Sequence, residues 1–245
     1  MGAPHLFSVE YRLSSTHPLP EENPFPAALL DALAGYVHLV DVMGYDPANV
    51  IVAGDSAGGK IALALARYLV ENRGRRTEAD ATLLPAPLGY RLLISPWADV
   101  SNSHSDTHPM YNALSTNDSL AKSAHANDMD LLGEHFVGRE CPSYSALAYV
   151  GPFGLGMALH NRYISPASLY RAARAPFTGF PRTFIASGGA ERLLDQMRTL
   201  RDKMMKDMDE GLVTCHEEPE GIHDFIGYPS HPRYRRIEHS TLPRR

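Results

Sequence analysis

Apolar positions along the chain follow two periods, and the two alternate. Val50-Ile51-Val52-Ala53 is a β-branched run between the turn signal Asp46-Pro47 and a glycine, which predicts a buried strand over 49–54. Tyr90-Arg91-Leu92-Leu93-Ile94-Ser95, Pro181-Arg182-Thr183-Phe184-Ile185-Ala186 and Leu212-Val213-Thr214-Cys215 read the same way, and so does the opening Leu6-Phe7-Ser8-Val9-Glu10-Tyr11-Arg12-Leu13. Between them the period lengthens. Leu29, Leu33, Tyr36, Val37 and Val40 form an i, i+4, i+7, i+8, i+11 stripe, with Pro24 and Pro26 at its start and Gly44 at its end, the pattern of a core-facing helix. Ile61, Leu65 and Leu69 form a second such face; Leu193, Met197, Leu200 and Met204 form a third, with Gly211 as its expected stop. Strands alternating with helices predict an α/β fold on a mostly parallel sheet flanked by helices.

Residues 14–26 and 72–87 read as loops. Residues 101–160 are rich in Ser, His, Asn, Asp and Tyr, with short apolar patches. They read as a cap inserted into one domain spanning 1–245, whose core is 1–100 and 161–245. The tail from His231, with Arg233, Arg235, Arg236, Arg244 and Arg245, reads as a solvated end. With 245 residues, 44% of them hydrophobic, the chain can bury a sizeable core. A net charge of −5 gives no basic face for nucleic acid. Cys141 and Cys215 are too few for a disulfide scaffold. No apolar run is long enough to span a bilayer and the start is no signal peptide, so the cytoplasm is the expected compartment.

The candidate chemistry sits where the first core strand meets its helix, at Gly54-Asp55-Ser56-Ala57-Gly58-Gly59. A bare Gly-x-Ser-x-Gly recurs by chance in glycine-rich loops. Between a strand and a helix it reads as a strained elbow that lifts a serine hydroxyl clear of the sheet. The glycines are expected where any side chain would collide with the neighbouring strand or helix. A serine nucleophile needs a base, and the base needs an anion to orient it. His223, in Gly221-Ile222-His223-Asp224-Phe225 after the last strand, is the candidate base. Two carboxylates compete for the third role: Glu191 in the loop after the strand at 181–186, which is favoured, and Asp195 one turn into the helix. Each could instead complement the helix dipole. His104 and His108 lie four apart, but without a paired carboxylate or cysteine pattern they predict no metal. Trp97, Tyr111 and Phe136 could line an acyl pocket or simply pack. No cofactor is expected.

The elbow resembles that of the hormone-sensitive-lipase-like branch of the α/β-hydrolases. So do Val9-Glu10-Tyr11-Arg12-Leu13, His17-Pro18 and Pro24-Phe25-Pro26-Ala27-Ala28, the Ser165-Pro166 step, and the Gly-x-His-x-Phe around His223. The likeness covers 6–100 and 161–227. It implies hydrolysis of short or medium acyl or aryl esters through an acyl-serine at Ser56, with His223 as base and a small-molecule ester as partner. The family's acid is the first Asp of Asp-Pro-Leu-x-Asp, and Glu191-Arg192-Leu193-Leu194-Asp195 matches that stretch with Glu in the first place. The chain lacks the family's His-Gly-Gly-Gly stretch, which supplies most of the oxyanion hole; of the donors the resemblance implies, the N–H of Ala57 is retained. The resemblance therefore leads one to expect a truncated chain, missing N-terminal strands and part of the cap. The strands at 6–13 and 49–54 would then pair directly or leave costly unpaired backbone groups, and stability would fall below that of a full-length relative. The alternatives are a non-catalytic small-molecule-binding protein on the same scaffold, against which His223 argues, or an inactive fragment.

Overall fold

The computed structural model describes residues 5–75, 85–101, 103–104, 144–191 and 193–227. Four strands form one parallel sheet in chain order: β1 (Ile51–Asp55), β2 (Tyr90–Ile94), β3 (Arg182–Gly188) and β4 (Val213–Glu218). Register is continuous across it. Asp55 aligns with Ile94, Ile94 with Ala186, and Gly188 with Glu218. Parallel strands need crossovers, and helices supply two of them: α2 (Ser56–Glu71) joins β1 to β2, and α4 (Leu194–Asp207) joins β3 to β4. Helix α1 (Ala27–Val37) precedes β1, and α3 (Tyr144–Val150) lies between β2 and β3. The fold class expected from the alternation of periods is the one formed.

One cluster unites the helices with the sheet: Leu29 and Tyr36 of α1, Leu63, Leu65 and Leu69 of α2, Leu93, Ile185, and Leu200 and Met204 of α4. The stripe Ile61, Leu65, Leu69 understates α2, because Ala62, Leu63, Ala64 and Ala66 are buried as well. A helix packed against both a sheet and a second helix buries more than one face. A smaller cluster of Val100, Ala146, Val150, Ala158 and Ile164 joins α3 and the short 3₁₀ turns at Gly151–Phe153 and Leu155–Leu159 to the rest. These belong to the expected cap, most of which lies outside the described residues. No described helix is long and apolar enough to cross a membrane.

Two expectations fail. Residues 6–13 form no strand and do not pair with β1, which stands at the end of the described sheet with Ile51, Ala53 and Asp55 exposed. Side chains hold the segment instead. The Arg12 guanidinium forks onto Asp31 of α1 at 2.9–3.1 Å, the Arg12 backbone N–H donates to the same carboxylate at 2.9 Å, and Tyr11 packs on the core. An apolar alternation cannot reveal whether a strand's hydrogen bonds find a neighbour. Gly211 does not stop α4. The helix ends at Asp207, Met208 is already extended, and Gly211 turns the link into β4 at φ +79°.

The site end of β3 is set by close backbone contact. A Cβ on Gly188 would lie 2.3 Å from the carbonyl oxygen of Gly221, in the loop that carries His223. Gly188→Ala should therefore destabilise by about 3 kcal/mol or more, read as the urea midpoint. Gly156→Ala, where a Cβ meets nothing within 4 Å, should stay close to the parent.

Candidate active site

Because the strands are parallel and in register, the residues that follow each one gather on the carboxyl edge. Ser56 follows β1, Ser95 follows β2, Glu191 follows β3 and His223 follows β4. Ser56 has φ +47°, in the left-handed region that non-glycine residues avoid, and it is partly exposed. Such a conformation costs about 1–3 kcal/mol and persists only where surrounding structure enforces it. Two contacts enforce it here. A Cβ on Gly54 would fall 2.3 Å from the Gly58 carbonyl oxygen, and one on Gly59 would fall 2.8 Å from Pro96 Cβ. Gly58 is different. A Cβ there would meet only Asp55 Oδ1, at an ordinary 3.7 Å, so steric need explains Gly54 and Gly59 but not Gly58. Asp55 closes β1 as an exposed residue, and its side chain makes no cap to α2. Ala57 is exposed in the first turn of α2, where backbone N–H groups have no partner within the helix.

Glu191 is 1% exposed. Its Oε1 accepts from Ser95 Oγ at 3.0 Å and from the Gly188 N–H at 2.6 Å, while Oε2 lies 2.7 Å from His223 Nδ1. Burial pushes the Glu191 carboxyl up, and its bonds to His223, Gly188 and Ser95 pull the other way. The other ring nitrogen of His223, Nε2, is 3.2 Å from Asp224 Oδ2. Asp195, the competing acid, sits in the first turn of α4 with its Oδ1 3.9 Å from Arg198. Of the two carboxylates, Glu191 meets the imidazole. Ser95 connects the parts. It is the register neighbour of Ser56 beyond the Asp55–Ile94 pair, donates to Glu191, and accepts the Asp224 N–H at 3.1 Å. The Trp97 N–H donates to the Ser56 carbonyl at 2.9 Å, tying the two strand ends together.

The α/β hydrolase fold family model matches residues 4–227. The chain belongs to the α/β hydrolase fold family. It is 29% identical over 221 residues to an acetyl-hydrolase of Streptomyces hygroscopicus, covering 89% of this chain and 58% of that protein. Among solved structures it resembles an esterase/lipase from an uncultured bacterium, at 30% identity and TM-score 0.55, covering 87% of this chain and 55% of that one. It also resembles a hormone-sensitive lipase from a metagenome library, at 25% identity and TM-score 0.63, covering 94% and 62%. The chain thus spans a little over half the length of the relatives it matches.

Around the site of this α/β-hydrolase-fold chain stand groups that sequence reasoning missed. Ser95 carries the clearest overlooked signal, a hydroxyl at the last position of an apolar strand, just before Pro96. It has φ +42° and is fully buried. Lys60, one helical turn after Ser56, is buried. Its Nζ donates to the Ile164 carbonyl at 2.8 Å and stands 4.3 Å and 4.9 Å from the ring centroids of Trp97 and Tyr149. Burial pushes this ammonium down to about 7, with the Asp99 charge opposing. Trp97 and Tyr149 thus enclose a lysine; Tyr111 and Phe136 lie outside the described residues. Asp99 is buried too. Burial opposes its charge, but hydrogen bonds from His104, Ser101 and Ser103 hold its carboxyl down at about 2. His104 is 3.0 Å from both Asp99 Oδ2 and Thr199 Oγ1, which fastens the start of the expected cap to α4. His108 lies outside the described residues.

Ser95→Ala leaves the Asp224 N–H without this acceptor and Glu191 with one donor fewer. The expected cost is about 1–3 kcal/mol, measured by urea unfolding, with Ser95→Thr restoring part of it. Lys60 predicts a pH dependence. Its folded pKa lies below the unfolded value near 10.4, so between about 7 and 10 the unfolded chain holds the extra proton and stability rises with pH. Unfolding curves at pH 7 and pH 9 should show this rise, and Lys60→Met should lose it.

Proposed function

We propose that this chain hydrolyses carboxylic esters through an acyl-serine at Ser56. His223 acts as general base, Glu191 orients its ring, and the Ala57 N–H donates to the developing oxyanion. The observation that carries the reading is the 2.7 Å contact between buried Glu191 and His223 Nδ1, on the same sheet edge as the left-handed Ser56. A carboxylate on Nδ1 fixes the tautomer whose Nε2 can take a proton, and it stabilises the imidazolium that follows.

In the first step Ser56 Oγ attacks the ester carbonyl carbon and its proton passes to His223 Nε2. The tetrahedral intermediate collapses, and the alcohol leaves with that proton. Water then attacks the acyl-serine, again losing a proton to Nε2, and the acid departs as Ser56 recovers its hydrogen. For this to occur Nε2 must exchange its approach to Asp224 Oδ2 for Ser56 Oγ. The partial exposure of Ser56 suits small esters, and the acetyl-hydrolase likeness supports short acyl groups. One oxyanion donor is typically worth about 10²–10³ in rate, which is the contribution this reading assigns to the Ala57 N–H.

Covalent labelling separates the reading from a binding role. A fluorophosphonate probe should label the chain at Ser56, found by peptide mass spectrometry. Labelling should vanish in Ser56→Ala and fall by about 10²–10⁴ in Glu191→Gln, which keeps the shape of the acid but loses its charge. Labelling that survives His223→Ala unchanged would overturn the assignment of the base.

A further inference from the structure

Two arginines lie in the hydrophobic layer between α2 and the sheet, away from the serine. Arg91, the second residue of β2, is fully buried on the same face as Leu93. Arg67, late in α2, is 2% exposed. Both guanidinium carbons stand over the Phe180 ring, Arg67 at 4.9 Å and Arg91 at 4.8 Å from its centroid. The hydrogen bonds do not go round. Arg67 Nη1 donates to Glu71 Oε1 at 3.2 Å and to the Pro176 carbonyl at 3.0 Å; Arg91 Nη2 donates to Thr183 Oγ1 at 2.7 Å. Arg67 Nη2, Arg91 Nε and Arg91 Nη1 are buried with no acceptor among the described residues.

Charge is unbalanced in the same place. Glu71 is the carboxylate in contact with Arg67, and it is shared with Arg162 and the Tyr163 hydroxyl. Arg91 has no carboxylate partner among the described residues. Burial, with the Arg67 charge adding to it, pushes Arg91 down to about 9, which still leaves it a cation at neutral pH. An unpaired buried charge costs several kcal/mol, and guanidinium does not escape by losing its proton. A ring face satisfies part of the charge but accepts none of these N–H bonds in line.

We propose that Arg91 and Arg67 form a buried site for a small monovalent anion, a halide or a short carboxylate, which accepts from Arg67 Nη2 and from one of the two open N–H edges of Arg91. One negative charge balances the cation that Glu71 does not reach. The site is distinct from the ester-processing edge. Arg91 precedes Ser95 by four residues of strand, about 13 Å, and Arg67 follows Ser56 by eleven residues of helix, about 16 Å. Its role is to complete the scaffold between α2 and β2, so its readout is stability and anion binding, not turnover.

Chloride NMR and thermal unfolding test this on the unmodified chain. At constant ionic strength, replacing a bulky sulfonate buffer anion by chloride should raise Tm saturably, by about 5 °C at a hundredfold excess over the dissociation constant. Chloride-35 linewidth should broaden with protein and sharpen when acetate is added, if one site takes both. A larger Tm rise with acetate than with chloride would identify the carboxylate as the preferred occupant. In Arg91→Met, which removes the uncompensated cation and keeps an unbranched side chain, both responses should disappear. Should that variant not fold, Arg67→Met serves the same comparison. Absence of chloride broadening and of any anion-specific Tm change in the parent would overturn the proposal, as would an undiminished response in the variants.

Discussion

The Glu191 carboxylate is the constraint around which the sheet edge is built. At 1% exposure it needs donors for its oxygens, and it draws them from three parts of the chain. Gly188 contributes a backbone N–H from the end of β3, Ser95 a hydroxyl from the end of β2, and His223 a ring nitrogen from beyond β4. Neither Ser95 nor His223 would meet it unless the strands were parallel and in register. The same network fixes the His223 loop twice more, through the Asp224 N–H on Ser95 and the approach of Gly221 to Gly188. Withdrawing one donor leaves a buried charge less well solvated, which is why such networks resist partial change.

A glutamate where the resemblance led one to expect an aspartate is accommodated by placement. Glu191 leaves the chain in the loop three residues after Gly188, and its longer side chain reaches back to bond that residue's own N–H. Asp195, one turn further on, is instead near Arg198 at the start of α4. The extra methylene thus goes into a return toward the strand end, where the site lies.

The interior is unusually rich in charge for a layer of helices on a sheet. Lys60, Arg67, Arg91 and Asp99 are all nearly inaccessible, and they are solvated by different means. Asp99 is saturated by serine hydroxyls, backbone N–H groups and His104. Lys60 has a carbonyl and two aromatic faces. The arginines have aromatic faces and an incomplete set of acceptors. Since a buried ion is tolerated only as far as its partners replace water, this order also ranks how much each group still demands of its surroundings.

Residue patterns alone determined a good deal. Short β-branched runs and helical stripes marked β1 to β4, α1, α2 and α4, because burial of one face imposes its period on the sequence whatever the partner is. The elbow and the loops after β3 and β4 could be found because Ser56, Glu191 and His223 each follow a strand, and strand ends are readable. What remained hidden required a neighbour in space. Residues 6–13 have a strand's composition, yet form none, since pairing depends on another backbone that local pattern does not describe. Gly58 looked as constrained as Gly54, but only Gly54 faces a carbonyl at 2.3 Å. The contact of Glu191 with His223, the linking role of Ser95, and the stranded guanidinium nitrogens were decided by tertiary structure. Hydrogen bonds between segments as far apart as Ser95 and Asp224 depend on ångström-scale placement, and composition and periodicity carry no record of that distance.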